Sequence, residues 1–399
     1  MSEKIGYAWV HSQADLVHYS FDAPIPIIEP FDKQRKERWI AVLQMYGLKS
    51  APGNLMADKT VDKSAGEITA TYMQQSSDLD DWVIALDDAY AYAACYYAMK
   101  TGRRFVKASL DRLEVLLRLC APKSVLIVCK PIGLHTGILK KIAALLSQGE
   151  TETLWGVATS VDAAGLSFLL AKFLSPSLPC RRYGIIDAIA RQAYEMDGNE
   201  LRASDFEFSP DYLWHQLAQQ WYSLALVSHG EGAHANLEHA VLCGLMGREE
   251  RGSDGRPVEG GCRQGTCKRV HNPNISILPV YELRTENLLF LSCNGFSVSN
   301  ELYPSDVSVA LSLADGYPRA CITTTETVEF TEESAQEFQS LVRQGHQFGK
   351  IVNLVNDVSL RDYPYVLLGD PLMSSAQDPR DVFVDVERSS FKIDHRDNG

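Results

Sequence analysis

Positive charge is scarce in this chain of 399 residues. Its 38 Lys and Arg face 51 Asp and Glu, leaving a net charge of −13. A nucleic-acid surface needs clustered basic side chains, so that partner is not expected, nor is docking on anionic membranes. No run of 18 apolar residues occurs, which argues against a membrane span. The first twenty residues lack a basic segment followed by an apolar stretch, so no signal peptide is expected. Cysteine pairs at C-x2-C spacing and internal repeats are also missing. The nine cysteines are an odd count, and Cys95, Cys120 and Cys129 sit in apolar runs. That pattern suits reduced thiols in a cytoplasmic compartment better than a disulfide framework. Apolar content of 45% and charged content of 22% are those of a globular protein. The length allows two or three domains, or one large domain with additions.

Residues 1–77 form an N-terminal extension of unclear fold. Pro24, Pro26 and Pro30 interrupt any regular pattern, and the stretch from Glu67 to Met73 alternates like a strand. Residues 78–120 read as a helical segment. Asp78 or Asp80 caps a first helix ending at Thr101-Gly102, and a second runs from about Val106 to Cys120. From Ser124 the pattern alternates. Strands are expected at 124–129, 154–160, 221–227, 287–291, 319–325 and 365–368, with helices near 136–148, 162–174, 185–195 and 332–355. Such alternation predicts a mostly parallel sheet with helices on both faces over residues 121–375. A polar insertion occupies about 247–273, and 376–399 form a C-terminal tail rich in Asp, Arg and Ser.

Two of the expected strands end in reactive side chains. WYSLALV runs into Ser228-His229-Gly230, and NLLFL runs into Ser292-Cys293-Asn294-Gly295. In parallel sheets the carboxyl ends of the strands carry the chemistry. One imidazole and one thiol are therefore expected at a shared edge. A free thiol near its ordinary pKa of about 8.5 is a poor nucleophile at neutral pH, and a nearby imidazole activates it. Backbone N–H groups of Gly230 and Cys293, at sharp exits from strands, are candidate donors to an oxyanion.

These segments, together with Leu367-Leu368-Gly369-Asp370-Pro371, resemble the motifs of clan CD cysteine peptidases. That clan has the caspase-like fold and includes caspases, legumains, gingipains, separases and CHAT domains. The resemblance covers about residues 120–373 and is nearest the gingipain-like and CHAT branch. It implies a caspase-hemoglobinase-like α/β domain, with His229 as base and Cys293 as nucleophile. It further implies protein or peptide substrates, an acyl-thioester intermediate and no required cofactor. The interval of 64 residues between His229 and Cys293 is longer than is usual in that clan. Leu291 stands two before the cysteine, where caspases, legumains and metacaspases tend to carry a polar or acidic residue. P1 preference is thereby left open. Glu301 and Asp306 offer carboxylates to a basic P1 side chain, or are solvated loop charges.

Cys243, Cys262, Cys267 and His271 form a second constellation, of which the last three read C-x4-C-x3-H. Thiolates and imidazole suit tetrahedral zinc, and a metal would staple an insertion without a core. The spacing is irregular, and free thiols in a loop are the plainer reading. His229 with His234, and His234 with His239, are five apart, wrong for one helix face. They are read as non-ligands, and His135 as a loop residue. Two alternatives to a peptidase stand beside it. One is a caspase-like scaffold, inert or self-cleaving, with a regulatory protein partner. The other is a zinc-dependent regulator.

Overall fold

In the computed structural model, residues 6–19, 24–51, 64–147, 153–178, 180, 182–197, 200–203, 208–244, 276–299, 308–328, 332–357, 359 and 362–374 are described. The insertion at 247–273 and the tail at 376–399 lie outside them.

The chain begins with β1 (Gly6–Val10), the short α1 (Gln13–Leu16), β2 (Ile25–Ile28), α2 (Lys33–Met45), β3 (Lys49–Ser50) and α3 (Ala65–Gln75). Next come β4 (Asp81–Ala85), α4 (Ala91–Thr101), β5 (Arg104–Lys107), α5 (Leu110–Cys120), β6 (Ser124–Val128), α6 (Thr136–Ser147), β7 (Leu154–Ala158) and α7 (Ala163–Leu174). The middle holds β8 (Tyr183–Asp187), β9 (Gln192–Asp197), β10 (Glu200–Ala203), α8 (Pro210–Leu217) and β11 (Trp221–Val227). Four short strands follow: β12 (His229–Glu231), β13 (His234–Leu237), β14 (Ala240–Cys243) and β15 (Ser276–Pro279). The chain closes with β16 (Thr285–Leu291), α9 (Val309–Asp315), β17 (Ala320–Thr324), α10 (Glu332–Arg343), α11 (Phe348–Asp357) and β18 (Tyr365–Leu368).

Eleven strands make one mostly parallel sheet in the order β10-β9-β8-β11-β16-β17-β18-β7-β6-β4-β5. β18 runs antiparallel to β17 and meets β7 through the single pair Leu368–Val157. Alternate residues of β11 and β16 face two cores. Leu224, Leu226, Leu288 and Phe290 pack with α7 and α9. Ala225, Val227, Leu289 and Leu291 pack with Phe338, Val342 and Ile351 of α10 and α11. A strand buried on both sides reads as a continuous apolar run, as these do.

The N-terminal extension has a fold of its own. Tyr7 and Ile27 of its parallel sheet β2-β1-β3, with Trp39 and Leu43 of α2, pack against Phe168 and Ala171 of α7. α7 is thus covered on both sides.

Four expectations from the sequence are corrected. Residues 67–73 are helical, not a strand, because Ser64 starts α3. Its Oγ accepts from Glu67 N–H at 3.3 Å, while the Glu67 carboxylate accepts from Ser64 N–H at 2.7 Å, a reciprocal cap. The expected first helix of 78–120 begins as β4, and its second starts with β5. Trp82, Val83, Ile84 and Ala85 are an apolar run short enough for a strand, and both strands join the main sheet. Residues 185–195 form β8, a turn and β9, antiparallel to one another, with Arg191 in the left-handed region at φ 55°. The helical stretch 332–355 is two helices, interrupted at Gly345, whose φ of 78° favours glycine.

Candidate active site

β11 and β16 are neighbours, parallel and in register from Trp221–Thr285 to Val227–Leu291. Ser228 N–H continues the ladder, donating to Leu291 O at 2.9 Å. His229 and Cys293 each lie two residues past the last registered pair, so both leave the sheet at one edge from strands about 4.8 Å apart. His229 opens β12, opposite Asn236 of β13, and is exposed. Cys293 opens a tight turn and is half-buried.

That turn is pinned to the end of β17. Asn294 N–H donates to Glu326 O at 3.1 Å, and Phe296 N–H to Thr324 O at 2.8 Å. Thr324 Oγ1 donates to Ser292 O at 2.7 Å. Asn294 takes the left-handed conformation, φ 56°, which Asn tolerates better than most residues. Gly295 N–H returns to Ser292 O at 3.0 Å, whereas Cys293 N–H meets no acceptor among the described residues. It is a fixed donor available to an oxyanion.

The histidine segment packs directly on the cysteine segment. A Cβ at Gly230 would overlap Ser292 Oγ and press on His234 O, so glycine permits the approach. Gly232 lies against Ser297, and its carbonyl accepts from Val309 N–H at 2.8 Å. Leu291 is 0% exposed and belongs to the core under α10. The position two before the cysteine therefore faces away from the edge.

Other strand ends share this edge. Ser299 Oγ donates to Ile132 O at 3.3 Å, and Thr136 Oγ1 to Thr325 O at 3.2 Å. These contacts bring the chain leaving β6 to the chains leaving β16 and β17. His135 is exposed there and accepts from Ile138 N–H at 3.4 Å through Nδ1, capping α6 as a loop residue does. Lys140 pairs with Glu326 at 2.7 Å. On the far side of His229, Asp187 ends β8 level with Val227. Its Oδ1 accepts from Ile189 and Ala190 N–H, both at 2.9 Å. Expecting a helix over 185–195 hid this edge position. The signal was the apolar run Tyr183–Ile186 broken by Asp187.

Glu301, Asp306, Cys262, Cys267 and His271 lie outside the described residues. Cys243 ends β14, buried beside Ala233 and Ile277. Among the described residues, no group of three or more His, Cys, Asp or Glu could hold a metal. His239 Nε2 sits 3.2 Å from Glu238. All seven described cysteines are free thiols, with Cys120 exposed rather than packed in an apolar core. No described helix is long and apolar enough to cross a membrane.

No protein-family model matches the chain, and no curated protein matches it. What the site can do chemically therefore rests on its own geometry. A thiol and an imidazole lie two residues past paired positions of adjacent strands, beside a hydrogen-bonded turn whose Cys293 N–H meets no acceptor among the described residues.

Proposed function

We propose that this chain is a cysteine endopeptidase of the caspase-like type, acting on protein or peptide substrates. The observation that carries the reading is the register of β11 on β16, which sets His229 and Cys293 at equivalent places past one sheet edge.

In the proposed reaction the Cys293 proton passes to His229, and the thiolate sulfur attacks the peptide carbonyl carbon. The carbonyl oxygen becomes an oxyanion facing the N–H groups of Cys293 and Gly230. The C–N bond then breaks, and His229 returns the proton to the departing amine. Water, activated by the same imidazole, hydrolyses the acyl-thioester and frees the thiol. No cofactor enters these steps. Glu301 and Asp306 are proposed to set preference for a basic P1 side chain.

Cys293→Ala and His229→Ala test the assignment. Each should lower kcat/KM on a protein substrate by about 10³-fold or more, the scale of losing a nucleophile or its base. Far-UV circular dichroism should be unchanged, because neither side chain is in the core. Full activity in either variant removes the dyad. A wild-type chain that cleaves nothing and holds Cys293 no more reactive than exposed Cys120 favours the scaffold reading.

A further inference from the structure

We infer that Arg35, in the N-terminal extension, is a positioning residue for the proposed site and acts on the His229 segment through α9. The link itself is independent of what the site does, while its meaning for turnover rests on the peptidase reading.

α9 touches the site at its first residue. Val309 N–H is the donor to Gly232 O, in the turn between β12 and β13. All seven residues of α9 are buried, and at 1.5 Å per residue the helix is a rod of about 10 Å. Its other end is held from two sides. Lys172 of α7, 0% exposed, donates from Nζ to the carbonyls of Ala314, Gly316 and Pro318 at 2.8, 2.7 and 2.8 Å. Asp315, 1% exposed, receives Arg35 Nε at 2.8 Å, with Arg35 Nη2 at 2.7 Å and Arg38 Nη2 at 3.5 Å.

Arg35 does more than pair. Its Nη1 lies 2.6 Å from Asp162 Oδ2, and Asp162 Oδ1 caps α7 by accepting from Gly165 N–H at 2.7 Å. The guanidinium stacks 4.5 Å over Trp39, and Trp39 stacks on Phe168 at 4.5 Å and 4°. Phe168 in turn lies 5.1 Å beneath Lys172 Nζ. One closed circuit therefore ties α2, the start of α7 and the end of α9. A planar fork is required to reach two carboxylates from one side chain. Without it, Asp315 is a buried carboxylate left with only the longer contact to Arg38, and the end of α9 loses its fixed place.

The test uses the full chain and two variants that cut the link at opposite ends. Arg35→Ala removes the grip on Asp315. Val309→Pro deletes the N–H given to Gly232 but also replaces a buried core side chain. Val309→Ala, which trims that side chain and keeps the N–H, is therefore measured beside it and should leave exchange at 229–235 near wild type. Proline is accepted at the first position of a helix, and Ser308 already has the extended backbone, φ −72° and ψ 127°, that a residue before proline needs. Hydrogen exchange of residues 229–235 and the rate of Cys293 alkylation by iodoacetamide are measured for each, with Arg35→Lys as the conservative variant. Both disruptive variants should speed exchange at 229–235 by about tenfold, change the Cys293 alkylation rate, and lower kcat with little change in KM. Arg35→Lys should recover part of the loss, and combining the two disruptive changes should add little further, as expected of one chain of contacts. Wild-type exchange and alkylation in both disruptive variants would overturn the inference. So would an increase spread equally over β11 and β16, which would mean general loosening. If exchange responds as expected but the wild-type chain cleaves no substrate, the link stands and the peptidase reading fails.

Discussion

At the scale of single residues, Gly230 has no room for one added atom beside the candidate site. A Cβ there would meet Ser292 Oγ and the His234 carbonyl, and the carbonyl cannot swing aside as a side-chain tip can. Gly230→Ala keeps the backbone N–H but should push it out of place, lowering kcat/KM by roughly 100-fold, the scale of an oxyanion donor. A melting temperature within a few degrees of wild type would show that the site, not the fold, was disturbed. Thiol chemistry gives a second prediction. Burial pushes the thiols of Cys95 and Cys129 up to about 12, and that of Cys321 higher still. Thiols held protonated are inert to alkylation. Under native conditions iodoacetamide should modify Cys293 and exposed Cys120 and spare those three, as mass spectrometry of peptides would show. Prompt labelling of Cys321 would mean that the sheet opens far more readily than its packing implies. The residue types of the dyad were legible because each ended an apolar run with a small polar residue beside it. Asp187 was not, since its run is only four residues long and the sequence after it resembles a helix.

Among elements, the buried knot at the end of β18 should dominate stability. Asp370 is gripped by both terminal nitrogens of Arg103, at 2.9 and 2.8 Å, and by the Tyr97 hydroxyl. Removing one partner of a buried pair strands the other, at a cost of about 3–5 kcal/mol. Asp370→Ala should lower the unfolding free energy obtained from urea titration by that amount, and a loss below about 1 kcal/mol would contradict the pairing. Lys172 supplies a pH signature. Burial is the main cause that lowers its ammonium to about 7, with Arg319 acting in the same direction and Asp315 and Cys321 opposing. The unfolded chain holds that proton up to about 10.4. Between pH 7 and 10 the unfolded state thus binds more protons, and stability rises with pH. The stability difference between wild type and Lys172→Met should climb through this window by no more than about 1.4 kcal/mol per pH unit. A flat difference would show that three carbonyls keep the lysine charged. The elements most readily read from sequence were β6, β7, β11 and β16, each of which holds a mostly apolar run of four or more residues. α3 and β4 were misread for opposite reasons. A cap outweighed alternation in the first. In the second, a five-residue strand and a helix follow one another with only residues 86–90 between them, and the two read as one element.

For the molecule as a whole, an alternating pattern was enough to predict a mostly parallel sheet. Its eleven strands and their order were not, because order depends on contacts between distant segments. Strands β4 and β5 extend the sheet into a region that reads as helical, and β9 and β10 extend it at the other edge. The N-terminal extension was unreadable because its strands are short, interrupted by prolines and dependent on α7 as well as on one another. Its residues Trp39 and Leu43 are core residues only once Phe168 is in place.

The position of β18 has a consequence for biosynthesis. It is the last described strand in the chain but sits in the interior of the sheet, between β17 and β7, with Asp370 locked onto side chains made some 270 residues earlier. While translation is under way, the sheet has a gap beside the strand that supports the cysteine turn, and nothing made before β18 fills it. The ribosome must therefore deliver nearly the whole described chain before the edge that carries His229 and Cys293 is fully supported. Pairings this distant in sequence also close slowly, so maturation should lag release from the ribosome.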